Sequence, residues 1–276
     1  MKEVVYIYLN PTAGSGRASQ IWNNVQPVLR ERHIVYQLFT DVSTLPIGAN
    51  IIVIGGDGTF NTLLNTLTQP ELYRFILLPA GTSNSLCSQI SPKESWADKL
   101  QRYLNGDPFQ SIDLGLLTIH QQSYRFVNEA SVGFAAAIAL ATENGANKRF
   151  FNRLHLNELG YIATAFQCWA TERPYMLSFC NNRRISGNLY PCPNAKINDQ
   201  QIDSYELTCP RIVLPFELTR LVNAHHNVQS SYVRFDTFAT KSFHFEEPLP
   251  VEMDGNPLPS AKEVIVSVYP QPIAVL

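Results

Sequence analysis

Three apolar runs each stop in a polar, glycine-bearing loop, and that repetition restricts the fold of this 276-residue chain more than any other feature. Val4 to Leu9 runs into Asn10-Pro11-Thr12-Ala13-Gly14-Ser15-Gly16, and Ile51 to Ile54 into Gly55-Gly56-Asp57-Gly58-Thr59. Phe75 to Leu78 runs into Pro79-Ala80-Gly81-Thr82-Ser83-Asn84. A continuous apolar run such as Ile51-Ile52-Val53-Ile54 suits a strand buried on both faces of a parallel sheet. Helical periodicity lies between these runs: Ile21, Trp22, Val25, Val28 and Leu29 share one face over residues 19–32, and similar patterns cover 60–67 and 94–104. Val35 to Phe39 adds a further strand. Strand and helix thus alternate through about residue 110, as in an α/β layer. Ligands of open α/β sheets bind at the carboxyl ends of the strands, and all three loops fall at that edge.

The second half changes character. Strand patterns appear at residues 111–117 and 124–127, and helical ones at 134–142 and 156–170. Strands then follow one another over 176–180, 205–207, 211–214, 232–235, 242–245 and 264–268. Strands punctuated by Pro, Asn and Gly predict an antiparallel β domain. The expected division is an α/β domain over 1–117 and an antiparallel β domain over 118–276.

Charge excludes one class of function. Net charge is −2 and the pI about 6.3, whereas nucleic-acid binding needs a basic face that displaces counterions. Charged residues make up 16% of the chain, against roughly 25% in an average soluble domain, which fits a surface that meets partners or lipid. Five cysteines without a C-x-x-C pair argue against a disulfide framework or structural zinc and for a reducing cytoplasm. The apolar start is shorter than a signal peptide's and flows directly into the first loop, and no segment approaches the roughly 20 apolar residues of a membrane span. The expectation is a cytoplasmic protein without a transmembrane segment.

The chemistry of the central loop is phosphate chemistry. Glycines after a buried strand let backbone N–H groups approach phosphate oxygens, and the following helix aims its positive end at the same place. Asp57 can hold Mg²⁺ or accept a proton from an attacking hydroxyl. It can equally be the cap of a tight strand–helix turn. Arg17, at the end of the first loop, is a cation suited to a triphosphate. Asp113 reads as a second carboxylate near a metal or as a surface turn residue. His225-His226 and Glu246-Glu247 show no metal-ligand spacing and read as solvated surface.

Taken together the motifs resemble the diacylglycerol/sphingosine kinase superfamily. The resemblance rests on Asn10-Pro11 with Gly14, on Gly55-Gly56-Asp57-Gly58-Thr59-Phe60-Asn61, and on Pro79-Ala80-Gly81-Thr82-Ser83-Asn84. It continues through Ile112-Asp113-Leu114-Gly115, Phe126-Val127-Asn128, Ser131-Val132-Gly133-Phe134 and Pro193 to Asp199, and closes with Met253-Asp254-Gly255. It implies a nucleotide-binding Rossmann-like domain over 1–117 and a lipid-binding β-sandwich over 118–276, with the extreme C-terminus returning to the first domain. It also implies ATP and Mg²⁺ as cofactors and transfer of the γ-phosphoryl group to the hydroxyl of a lipid met at the membrane surface, by an enzyme peripheral to that membrane. It places Asn10, Gly14, Arg17, Gly55, Gly56, Gly58, Thr59, Gly81, Thr82 and Asn84 around the nucleotide. Asp57 and Asp254 become the catalytic carboxylates, with Asp57 and Asp113 in the Mg²⁺ network. Lys196 and Asp199 match a second-domain loop that holds a structural divalent metal in some bacterial members.

The sequence departs from the pattern at four places. Ser85 stands where many bacterial members have an Asp. Asn256 stands where they have a Glu proposed as general base, and an amide takes no proton at neutral pH. The connection from Thr40 to Ile51 is too short for the usual helix, leaving a sheet edge open to a partner chain, hence the expectation of a homodimer. The stretch from Cys180 to Pro191 is also short, and Gln200 replaces a Gly after Asp199. Two alternatives remain: a catalytically impaired protein that still binds lipid or nucleotide, and a relative of NAD kinase, which shares the Gly-Gly-Asp-Gly-Thr loop.

Overall fold

The computed structural model describes residues 4–144, 168–169, 174–185, 189–221 and 230–276. The predicted helix over 156–170 lies almost wholly outside the described residues, and His225-His226 wholly outside them. The chain divides into two units, Met1–Leu114 with Tyr269–Leu276, and Gly115–Val268.

The first unit is built on the predicted parallel sheet. Its strands are β1 (Val4–Leu9), β2 (Val35–Leu38), β3 (Asn50–Gly55), β4 (Arg74–Pro79) and β5 (Gln110–Ile112), with β14 (Ile273–Val275) returning from the end of the chain. They lie in the order β2-β1-β3-β4-β14-β5. Every pairing is parallel except that of β5 with β14. All six residues of β3 are buried, which is why its sequence is apolar without alternation. Ile273, Val275 and Leu276 are likewise buried, and Leu276 exchanges backbone hydrogen bonds with Phe75 and Leu77.

Helix α1 (Arg17–Glu31) buries Ala18, Ile21, Val25 and Leu29, one stripe at helical spacing. Helices α2 (Asp57–Thr66) and α3 (Ser85–Ile90) start directly from the second and third loops. Helix α4 (Trp96–Asn105) begins at a reciprocal capping box between Ser95 and Asp98 and ends at Gly106 in the left-handed region. The connection from β2 to β3 contains a single 3-10 turn, Val42–Thr44, capped by Asp41. Val35, Leu38 and Ile47 are exposed there, at the open edge of the sheet.

The second unit is one eight-stranded antiparallel sheet. Its strands are β6 (Gly115–Ile119), β7 (Gln122–Phe126), β8 (Glu129–Gly133), β9 (Tyr175–Cys180), β10 (Ile202–Thr208), β11 (Val233–Phe238), β12 (Thr240–Met253) and β13 (Asn256–Val268). The order is β11-β10-β9-β8-β12-β13-β6-β7. Register shifts interrupt β12 on either side of Leu249, and such bulges bend a strand. The bend closes the sheet over its own apolar face. Phe179 of β9 and Phe243 of β12 lie 4.9 Å apart, and Phe238 of β11 meets Phe243 at 5.8 Å, although their strands are not neighbours at that end. The other face of β8, β9 and β10 carries α5 (Phe134–Asn144) and α6 (Leu214–Arg220), which share a core with Met176, Cys180, Tyr205 and Leu207.

Two sequence expectations are corrected. Residues 111–117 are not one strand: they break at Asp113-Leu114, because β5 pairs with β14 and β6 with β13, in different sheets. Residues 211–214 form a turn entering α6 rather than a strand. Pro215 explains this, since a missing N–H is harmless in a first helical turn but deletes a ladder bond in a strand.

Candidate functional site

The three loops at the carboxyl edge of the parallel sheet are locked together. Ala80 N donates to Gly55 O at 2.7 Å, and Asn10 N donates to Ile54 O at 3.2 Å. Asn10 Nδ2 donates to Thr59 Oγ1 at 3.1 Å, tying the first loop to α2. Arg17 reaches across to donate to Gly81 O at 3.2 Å. Asn84, itself left-handed with φ 47, closes the third loop by accepting from Gly81 N at 3.0 Å and donating to Gly81 O at 2.8 Å.

This closeness explains most of the glycines. A Cβ on Gly14 would fall 1.9 Å from the carbonyl oxygen of Ala80, and one on Gly81 2.6 Å from Gly56 Cα. No side chain fits between backbones at such distances. Gly58 is different. It is exposed, lies in the first turn of α2, and a Cβ there would meet nothing within 4 Å. Glycine in a helix costs up to about 1 kcal/mol relative to alanine, so the protein's own packing gives no reason for it. A ligand brought against the bare helix start would supply one.

Asp57 is the hub between the second and third loops. Its carboxylate accepts from Ser85 N at 2.8 Å and Leu86 N at 3.2 Å, satisfying the first turn of α3. The capping reading of Asp57 thus takes the form of a cap on α3. Ser85, where the resemblance led one to expect an Asp, is buried and pairs its hydroxyl with that of Ser83 at 2.8 Å. A cavity of about 20 Å³ beneath the loops touches Gly56, Asp57, Pro79, Asn84 and Cys87. It has room for a water molecule and for nothing larger. Burial pushes the Cys87 thiol up to about 12, which leaves it an unreactive neighbour.

Asp113 is buried just beyond β5. Asp199 accepts from Gln201 N at 3.2 Å in a turn of the second unit, with Gln200 left-handed at φ 61. No group of three or more His, Cys, Asp or Glu residues suited to a metal occurs among the described residues. Mg²⁺ needs no such cage, since one or two carboxylates plus phosphate oxygens and water complete its shell. Asp57 fits that role, with its carboxylate at the helix start and Gly58 open beside it.

In the second unit Asp254-Gly255 forms the two-residue turn of the β12–β13 hairpin. Both residues are left-handed, φ 46 and 81, and Met253 pairs with Asn256 across the turn. The Asp254 carboxylate accepts from Val127 N at 2.7 Å, Asn128 N at 2.8 Å and Glu129 N at 3.1 Å. It therefore fixes the β7–β8 corner, where Asn181 and Asn182 also bond.

Sequence reasoning missed the acidic group beside it. Glu252, buried at 2% exposure, accepts from Ser131 Oγ at 2.6 Å and from Gly255 N at 2.9 Å. Burial raises its carboxyl to about 7, and burial together with the Glu252 charge drives Glu129 well above the usual carboxylate range. The available signal was the strand alternation of Val251-Glu252-Met253, which turns Glu252 away from the apolar core of its neighbours. Lys99 was missed too. It lies on the buried face of α4 at 0% exposure, its Nζ 3.9 Å from Glu94, and burial lowers its amine.

Similarity to known proteins agrees with this geometry. Residues 4–117 match the diacylglycerol kinase catalytic domain family. The chain is 25% identical to the lipid kinase YegS of Escherichia coli (strain K12) over 244 residues, 80% of this chain and 76% of YegS. It is 26% identical to YtlR of Bacillus subtilis (strain 168) over 191 residues, 63% of this chain and 62% of YtlR, so it spans less than two thirds of that relative. A diacylglycerol kinase structure from Bacillus anthracis str. Sterne superposes with a TM-score of 0.66 at 15% identity, covering 99% of this chain and 96% of that one. At that identity the likeness establishes a shared fold.

Two measurements test these assignments. Gly58→Ala is expected to leave the melting temperature unchanged or higher while weakening ATP binding by roughly tenfold or more; titration calorimetry beside a thermal melt reads both. For Glu252 the native carboxyl binds its proton more tightly than the unfolded one, so stability falls as pH rises from about 4.5 towards 7. Glu252→Gln should flatten that decline and melt above the wild type at pH 8. Equal pH slopes for the two proteins would remove the buried-acid assignment.

Proposed function

We propose that the chain is a member of the diacylglycerol kinase-like superfamily, supported by the match of residues 4–117 and the likeness to YegS, and that it transfers the γ-phosphoryl group of ATP to the hydroxyl of a membrane lipid. The observation that carries this reading is the open Gly58 at the start of α2, set among three interlocked loops at the carboxyl edge of a parallel sheet. Backbone N–H groups at a bare helix start suit a polyphosphate. Thr82 is exposed on the third loop and Arg17 on the first, so a hydroxyl and a cation stand at the same rim. Mg²⁺ held by Asp57 would offset charge on the phosphates.

Phosphoryl transfer asks chiefly for in-line positioning and charge stabilisation. The lipid oxygen forms a bond to the γ-phosphorus, the bond to the β–γ bridging oxygen breaks, and ADP leaves. The hydroxyl proton goes to a carboxylate, and with an amide at Asn256 that role falls to Asp57 or Asp254. The lipid class is a glycerol- or sphingosine-like alcohol taken from the membrane surface by an enzyme working on its cytoplasmic side.

Incubation with radiolabelled ATP, Mg²⁺ and a panel of diacylglycerol, monoacylglycerol, sphingosine and phosphatidylglycerol tests the proposal. Labelled lipid is expected from the wild type, with a loss of about 100-fold or more in Asp57→Asn, a variant that keeps an oxygen acceptor for α3. Label appearing in NAD and not in lipid would overturn it. Asn256 itself favours a second reading, a nucleotide- or lipid-binding protein slow in transfer. If only the base is missing, Asn256→Glu should raise the single-turnover rate by about 10²–10⁴-fold; an unchanged rate would mean that the proton already has an acceptor.

A further inference from the structure

The parallel sheet ends on one side at β2, and no strand among the described residues pairs with its outer edge. Phe39 N donates to Ile7 O at 3.2 Å, so Val35, Gln37 and Phe39 turn their backbone groups inward to β1. Tyr36 and Leu38 therefore point theirs outward, because backbone groups alternate along a strand. Proteins shield such an edge with lysine, proline, a bulge, a covering segment or a short strand. Residues 34–40 contain no charge and no proline, and β1 and β2 pair without a register shift. Val35 is 45% and Leu38 47% exposed. Of these devices only the shortness of the strand is present.

The occupant that fits this edge is a second copy of the chain. A two-fold axis across a sheet edge sets the two strands antiparallel. Centred on Gln37, it brings Tyr36 opposite the partner's Leu38, and each outward N–H then meets an outward C=O of the other copy. The flanking charges agree with this register. Arg30, Glu31 and Arg32 precede the strand with a net positive charge, Asp41 follows it with a negative one, and all are exposed. Pairing Tyr36 with the partner's Leu38 brings His33 and Arg32 level with the partner's Asp41, so each positive end meets a negative one. On one face Val35 comes beside the partner's Phe39. In each copy that ring stacks on Tyr6 at 6.3 Å and Tyr8 at 5.5 Å, so the exposed valine gains an apolar neighbour.

We infer that two copies of the chain join through β2, antiparallel about Gln37, so that their parallel sheets become one continuous sheet. The inference does not depend on the kinase reading. With four residues in β2 the contact is small, and the dimer it makes is weak and concentration-dependent. Because the strands run antiparallel across the axis, the loop clusters of the two copies lie at opposite ends of the joined sheet, and neither covers the other.

The test is sedimentation velocity of the whole protein at concentrations up to about 0.2 mM. The wild type is expected to shift from monomer to dimer as concentration rises. Gln37→Lys sets two like charges opposite each other on the axis and should weaken the dimer about fivefold or more, with an unchanged melting temperature. Asp41→Asn, which keeps an oxygen to accept from Ser43 N, should weaken it about threefold at low salt and less at high salt. Cysteine scanning reads the register. A residue that faces itself across a non-hydrogen-bonded antiparallel pair has its Cα about 4.5 Å from its copy, within reach of a disulfide. Gln37→Cys should therefore cross-link to a covalent dimer on oxidation with copper phenanthroline, above the wild-type background. Leu38→Cys faces the partner's Tyr36 and should not. A monomer at every concentration would overturn the inference, and so would a dimer that Gln37→Lys leaves unchanged. Cross-linking of Leu38→Cys to the same extent as Gln37→Cys would overturn the register and the inference with it.

Discussion

The first unit depends on backbone meeting backbone across three loops. Gly14 lies against the carbonyl of Ala80 and Gly81 against Gly56, with the Ala80 N–H on Gly55 O at 2.7 Å. Nothing larger than hydrogen fits at these contacts, so the loops hold one arrangement, and the helix starts of α2 and α3 are fixed relative to each other. Asp57 completes the lock by taking the first N–H groups of α3. A phosphate site made of backbone donors needs that rigidity, because donors held in place by the fold lose nothing in reorganising when charge arrives.

The second unit solves a different problem with the same chemistry. The β12–β13 hairpin needs two left-handed residues, and Asp254-Gly255 supplies them at little cost. The Asp carboxylate then gathers three N–H groups from the β7–β8 corner. Each Asp-Gly pair therefore joins a carboxylate that ties down a second chain segment to a glycine that leaves backbone open. Next to Asp254, Glu252 and Glu129 pay for their burial with raised carboxyls. The hairpin end thus concentrates acid on a face that is otherwise core.

Much of this is legible in the sequence where local patterns decide. The uninterrupted run Ile51 to Ile54 gave a strand buried on both faces, and the stripe Ile21, Val25, Leu29 gave α1. The loops followed because a parallel sheet sends every carboxyl end to one edge. What was not legible depends on partners distant in sequence. Residues 111–117 look like one strand, yet the partners of the two halves are β14 and β13, more than a hundred residues away. The β-branched stretch 211–214 has a strand composition, and only the following Pro215 betrays the helix. Glu252 looks like an ordinary surface residue of a strand until Ser131 and Gly255 close over it. The same limit applies to the site. Sequence placed Asp57, Gly58 and Thr59 in one loop but could not show which of them the fold itself requires.

That distinction decides what the motif residues are worth as signs of activity. Asp254 and Gly255 would be needed by the hairpin in a protein with no catalysis at all, and Gly14, Gly56 and Gly81 by the packing of the loops. Their presence therefore says little about chemistry. Asn256 has no such duty: it is half-exposed, pairs through its backbone with Met253, and its side chain makes no hydrogen bond among the described residues. The fold would accept an acid there as readily as an amide, so packing does not explain the amide. Gly58 and Thr82 carry the opposite message. Both are exposed at the loop edge, and neither is required by packing. Gly58 in particular costs helix stability that nothing inside the protein returns. Residues that the fold does not need, and in one case would be better without, are the ones on which the proposed nucleotide site rests.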